Sequence, residues 1–79
     1  MYERYAITVS LDLTGLKCPL PVLKARRQIV QMKVGVLEVL ADDPAAPLDF
    51  EHFCDTAGYR LVRNDAKSGI FTFHIEVAG

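Results

Sequence analysis

Cys18 stands in the run Gly15-Leu16-Lys17-Cys18-Pro19-Leu20-Pro21, a thiol set against two prolines where a helix is expected to begin. The pattern points to nucleophilic sulfur chemistry. Pro19 suits the first turn of a helix, because its ring presets φ and the N–H it lacks has no intrahelical partner there. Cys18 then falls at or beside the N-cap, which Ser, Thr, Asp or Asn would fill better. What cysteine gains there is reactivity. A helix N-terminus carries roughly half a positive charge and Lys17 adds a neighbouring cation, and both favour the thiolate, the form that attacks and accepts sulfur. Pro19 and Pro21 also remove two of the first helical N–H groups and stiffen the backbone. That implies an exposed, rigid sulfur rather than one in a deep pocket. The alternative is a small buried apolar residue beside an ordinary helix start. A solvent-facing strand–turn–helix junction favours the reactive reading.

The other chemistry-bearing residues read differently. Cys54 sits four positions after Phe50 on the apolar face of a second helix, as a structural core thiol would; a resolving cysteine is the alternative. His52 is expected on the exposed side of that helix and His74 on the open face of the last strand. With Cys18 and Cys54 they make no zinc spacing, so no metal is expected. Five of the nine basic residues, Lys17, Lys24, Arg26, Arg27 and Lys33, cluster on or beside the first helix. Asp42, Asp43, Asp49, Glu51 and Asp55 cluster around the second. Such runs are ordinarily solvated faces with dipole-matched ends. A docking surface at Lys24, Arg26 and Arg27, beside the thiol, is compatible with that reading. Asp42-Asp43-Pro44 reads as a turn and helix start rather than paired catalytic carboxylates.

These residues need elements to hold them. Tyr5, Ile7, Val9, Leu11 and Leu13 alternate with Ala6, Thr8, Ser10 and Asp12, a strand with one buried face from Tyr5 to Leu13. Pro19 to about Val34 reads as a helix with Val22, Ala25, Ile29 and Met32 inward, Leu23 and Val30 widening the stripe, and Lys33 in the last turn. Gly35 suits C′, and Val36–Ala41 follows as a short, mostly apolar strand, buried on both faces if it is central. Pro44 or Pro47 opens the second helix, whose inner face is Phe50, Phe53, Cys54 and Ala57 and which Gly58 ends. Tyr59–Arg63 is a third strand and Asn64–Gly69 a polar turn. In the fourth strand, Ile70–Val77, residues Phe71, Phe73, Ile75 and Val77 face inward, and the pair forms an antiparallel hairpin. A strand–helix–strand unit makes the first two strands parallel. The expected fold is α+β: a two-layer β-α-β-α-β-β sandwich, a four-stranded mixed sheet with two helices on one face, in one domain over residues 1–79.

Composition narrows the function. The 79 residues carry a net charge of −1, which gives no pull toward nucleic acid or acidic membranes, and the basic cluster has no interleaved aromatic platform. Apolar runs fall far below the ~20 residues that span a bilayer. No signal peptide is visible after Met1-Tyr2-Glu3-Arg4, and two isolated cysteines suit a reducing, cytoplasmic setting.

Leu11-Asp12-Leu13-Thr14-Gly15-Leu16-Lys17-Cys18-Pro19-Leu20-Pro21-Val22-Leu23-Lys24-Ala25 closely resembles the signature of the TusA/SirA family of small sulfur carriers, whose hallmark is Cys-Pro-x-Pro. Leu40-Ala41-Asp42-Asp43-Pro44-Ala45-Ala46, Asp49, Phe53-Cys54 and Gly58 resemble it too, so the likeness spans about residues 9 to 77. It implies the same two-layer sandwich, with Cys18 as the acceptor holding sulfane sulfur as Cys18–S–SH and Lys17, Pro19 and Pro21 in support. Sulfur would arrive from a cysteine desulfurase or rhodanese-type donor. It would leave to an acceptor sulfurtransferase or sulfur-metabolism protein, in a sulfurtransferase-type relay rather than a stand-alone enzyme, with no metal or organic cofactor. Many relatives place an acidic residue where this chain has Val36 and histidine where it has Tyr59, on surfaces suited to choosing partners. The pathway served is left open. The competing function is a regulatory or interaction domain docking through the basic helix, its thiol incidental or redox-sensing.

Overall fold

The structure is a computed structural model that describes residues 6–77. Its elements are β1 (Val9–Asp12), α1 (Leu20–Met32), β2 (Gly35–Ala41), α2 (Ala46–Ala57), β3 (Arg60–Lys67) and β4 (Ile70–Val77). The strands form one sheet in the order β1-β2-β4-β3. β1 pairs parallel with β2, and β4 pairs antiparallel with both β2 and β3. The α+β sandwich expected from the sequence is the fold observed.

Alternation explains the core. Leu37, Val39 and Ala41 of β2 and Phe73 and Ile75 of β4 are fully buried, in one cluster with Ala25 and Ile29 of α1 and Phe50 and Cys54 of α2. Phe50 stacks on Phe73 with ring centroids 4.6 Å apart. Both helices therefore pack on a single sheet face. The other face carries a polar row in register: Ser10, Glu38, His74 and Arg63, one from each strand.

Several boundaries differ from expectation, each for a local reason. β1 starts at Val9, not Tyr5; Tyr5 lies outside the described residues and Ile7 is exposed. Ahead of Val9 one backbone bond still joins the two segments, Thr8 N–H to the Val36 carbonyl at 2.9 Å, while the Val36 N–H turns to the Thr8 hydroxyl at 3.1 Å. α1 begins at Leu20 with Pro19 as its N-cap, so Pro21 rather than Pro19 occupies the first turn. It ends at Met32, and Lys33, not Gly35, turns the chain out with a positive φ of 67° while its N–H donates to the Ile29 carbonyl. Gly35 instead opens β2 at φ +119°, where an added Cβ would overlap the Thr8 side chain. Leu23 and Val30 do not widen the buried stripe but are exposed, at 49% and 66%. At 100° per residue they point roughly 140–160° away from Ala25. In α2 the Phe50 and Cys54 positions are buried and Phe53 half-buried, but Ala57, in the last turn before Gly58, is exposed.

The expected turn over residues 64–69 is mostly strand. β3 runs to Lys67 and only Ser68 and Gly69 make the turn, both at positive φ (54° and 80°), as in a two-residue type I′ hairpin. Polarity misled here because β3 is an edge strand, where charged residues are favoured. The Tyr59 N–H still bonds the Cys54 carbonyl, so that residue belongs to the end of α2 rather than to β3. No described helix is long and apolar enough to cross a membrane.

Candidate functional site

Parallel pairing puts the carboxyl ends of β1 and β2 side by side, Asp12 against Leu40, and the Leu13 N–H continues the ladder to the Leu40 carbonyl at 2.8 Å. The segments that follow must meet. From β1 comes the loop bearing Cys18, and from β2 comes Asp42-Asp43 and the start of α2. Asp42 Oδ1 accepts the Gly15 N–H at 2.9 Å and Asp43 Oδ2 accepts the Cys18 N–H at 2.6 Å. Within the loop, Asp12 Oδ1 accepts both the N–H and the hydroxyl of Thr14. The Leu20 N–H closes a turn onto the Lys17 carbonyl at 2.8 Å, around a cis Cys18–Pro19 peptide. Cys18 thus sits one residue outside the N-cap of α1, exposed, on a backbone fixed by two carboxylates.

The thiol faces an open cavity of about 290 Å³ between the start of α1 and α2. Pro19 and Val22 form one wall, and Asp49, His52, Phe53 and Thr56, one face of α2, form the other. Asp49, in the first turn of α2, lines this cavity opposite the thiol. Hydrogen bonding to the Asp49 carboxylate is the main cause that raises the Cys18 pKa above the ordinary thiol value; desolvation and the negative charges of Asp49 and Asp43 push the same way. The helix end and Lys17 were expected to favour thiolate. The carboxylates facing the sulfur reverse that expectation, because a hydrogen bond to the protonated form and like charge both disfavour ionisation.

The remaining sequence candidates separate. Pro21, in the first turn of α1, is buried and Lys17 is exposed. Lys24 and Arg27 line a shallow groove with Leu11 and Leu13, while Arg26 lies with Leu23 and Val30. None of the three lines the thiol cavity. Cys54 is buried, its thiol pushed up to about 11 by burial, as suits a core residue. His74 is on the open sheet face as expected, yet it is buried. Its Nε2–H donates to Glu38 Oε2 at 2.9 Å while the Ser10 hydroxyl donates to Glu38 Oε1 at 2.8 Å. Sequence reasoning missed Asp42, Asp43, Asp49, Phe53 and Thr56 as the surroundings of Cys18. The parallel β-α-β unit held the signal, since sites form where the carboxyl ends of neighbouring parallel strands meet.

Fold and site together define a small α+β protein with one exposed, anchored thiol. The chain belongs to the TusA family: residues 9–77 match the family model described as Sulfurtransferase TusA. A Neisseria meningitidis serogroup A protein, provisionally named a sulfur carrier, is 48% identical over 68 residues, covering 85% of this chain and 92% of that one. The sulfur carrier protein TusA of Allochromatium vinosum is 40% identical over 67 residues, covering 84% of this chain and 88% of its own. In fold, the chain is similar to the crystal structure of a SirA-like protein from Desulfitobacterium hafniense. The TM-score is 0.82 at 23% identity, over 91% of this chain and all of the other.

Proposed function

We propose that this protein is a sulfur carrier that takes sulfane sulfur onto Cys18 as a persulfide and relays it to an acceptor protein. The observation that supports this best is the exposed Cys18 thiol, on a loop pinned by Asp42 and Asp43, in a chain of the TusA family. In loading, the Cys18 thiolate attacks the outer sulfur of a donor persulfide, the donor S–S bond breaks, and the donor cysteine leaves as thiolate and takes up a proton. Delivery is the same exchange with an acceptor thiolate attacking the outer sulfur of Cys18–S–SH. Oxidation states balance, and the protein needs only to present one sulfur to successive partners. Donors of the cysteine desulfurase or rhodanese class fit, as do acceptor sulfurtransferases, in the cytoplasm. Lys17, Pro19 and Pro21 support the loop. Lys24, Arg26 and Arg27, with exposed Leu23 and Val30 between them, form a docking surface along α1.

Incubation with a cysteine desulfurase and cysteine, or with a rhodanese and thiosulfate, followed by intact mass, tests the reading. The wild type and Cys54→Ser gain ~32 Da that reductant removes, and Cys18→Ser gains nothing. A wild type left unmodified by every donor, or sulfur mapping to Cys54, defeats it.

A further inference from the structure

The cavity beside Cys18 combines two features that do not suit the same small ligand. Its walls are largely apolar, from Pro19, Val22 and Phe53, whereas the charge facing the sulfur is the Asp49 carboxylate, with Asp43 behind the Cys18 amide. None of Lys24, Arg26 and Arg27 lines it, and Lys17, adjacent in sequence, does not line it either. His52 closes the rim one turn beyond Asp49. A group that satisfies both features has an aliphatic stem and a cationic tip, which describes an arginine or lysine side chain. Phe53 adds an aromatic face of the kind on which a guanidinium or ammonium group settles.

We propose that this groove receives one arginine or lysine side chain of the protein that loads Cys18, its stem on Pro19, Val22 and Phe53 and its charge on the Asp49 carboxylate. The proposal rests on the sulfur-carrier reading above and adds how the thiol is switched on. Alone, the protein holds Cys18 across the groove from the Asp49 carboxylate, which favours the thiol, a poor nucleophile. When a partner's cation engages Asp49, the carboxylate ceases to hold the sulfur's proton. The proton passes to water, and the thiolate forms beside the donor persulfide. The nucleophile is thus made in the complex and not before it.

The test uses three methanethiosulfonate reagents on the full chain at neutral pH, bearing trimethylammonium, sulfonate or a neutral methyl group. Labelling of Cys18 is followed by mass, and each rate is divided by that reagent's rate on free cysteine. Normalised in this way, the cationic reagent should outrun the anionic one by about tenfold, the scale of one close charge pair at a partly solvated site. Asp49→Asn should cut that preference to about twofold. Thr56→Lys places a cation on the exposed rim without touching the core. It should cut the preference as far and quicken the neutral reagent about threefold. Equal normalised rates in the wild type, or a preference that survives both substitutions, overturns the proposal. With a protein donor, loading of the wild type should slow as salt rises, and loading of Asp49→Asn should respond less; equal salt dependence also overturns it. If no donor adds sulfur to the wild type, the carrier reading fails, while the reagent preference still reports on the groove by itself.

Discussion

Replacing Glu38 with glutamine removes one charge from the row that crosses the open sheet face and leaves its shape nearly unchanged. The carboxylate accepts hydrogen bonds from Ser10 at 2.8 Å and from buried His74 at 2.9 Å, and the charge of Arg63 adds to its stabilisation. The amide that replaces it can still accept from His74 through its oxygen and meet the Ser10 hydroxyl with its NH2 group. What is lost is the charge-assisted part of two bonds, roughly 1 kcal/mol each before screening. The Glu38 side chain retains 27% of its exposure, so about 1–1.5 kcal/mol in total is the expected cost at neutral pH. For a domain of this size that corresponds to a fall in Tm of about 4–12 °C. The pH dependence has a definite sign. Hydrogen bonds from His74, then Ser10, hold the Glu38 carboxyl below its ordinary 4.5. Its contribution is therefore full above that value and is lost as pH falls through the lower, folded one. Thermal melts followed by circular dichroism at pH 7 and pH 3 should show a Tm gap between wild type and Glu38→Gln that closes in acid. A gap under about 2 °C at pH 7, or one equally wide at both pH values, would refute the reasoning.

Three further substitutions probe core, backbone and site. Phe50→Ala removes a fully buried ring stacked on Phe73, at a cost of about 3–5 kcal/mol. That is a large share of the total stability of a domain of 79 residues; urea unfolding that shows less than about 1.5 kcal/mol counts against the packing described. Gly35→Ala forces a side chain onto a φ of +119° and into Thr8, and should cost about 2 kcal/mol or more, and less in a Thr8→Ala background, by the same measurement. Asp43→Ala frees the Cys18 amide and removes one of the charges that raise its thiol pKa. Cys18 should then react faster with iodoacetamide at pH 7, while its amide exchanges faster in hydrogen-exchange measurements.

The sequence was most legible where one periodicity ran without interruption. Phe71 to Val77 alternates cleanly and β4 has the bounds expected; Ala25, Ile29 and Met32 repeat at helical spacing and face the core, although α1 is shorter at both ends than its expected span. Leu23 and Val30 went astray because hydrophobicity alone marked them as core, although their angular position on α1 turns them to solvent. Asn64 to Lys67 looked like a turn because edge strands and turns share a polar composition. Only pairing with Ile70–Phe73 distinguishes the two, and pairing is a non-local property. His74 was placed on the correct face, but its burial depends on the neighbouring strands, which periodicity does not order. Cys18 stood out by its prolines. The upward shift of its pKa is not legible in the sequence, because Asp49, whose hydrogen bonding raises it most, lies 31 residues away and is brought to the sulfur by the parallel β1–β2 pairing.

All three carboxylates that govern the thiol, Asp42, Asp43 and Asp49, come from one stretch of eight residues after β2, and none comes from the hairpin or from the far half of α1. The thiol, its loop and the carboxylates around it are therefore written in two short cassettes, residues 15–22 and 42–49. The open sheet face and the outer side of α1 lie outside both. Substitutions on those outer surfaces therefore leave the anchors of the sulfur in place.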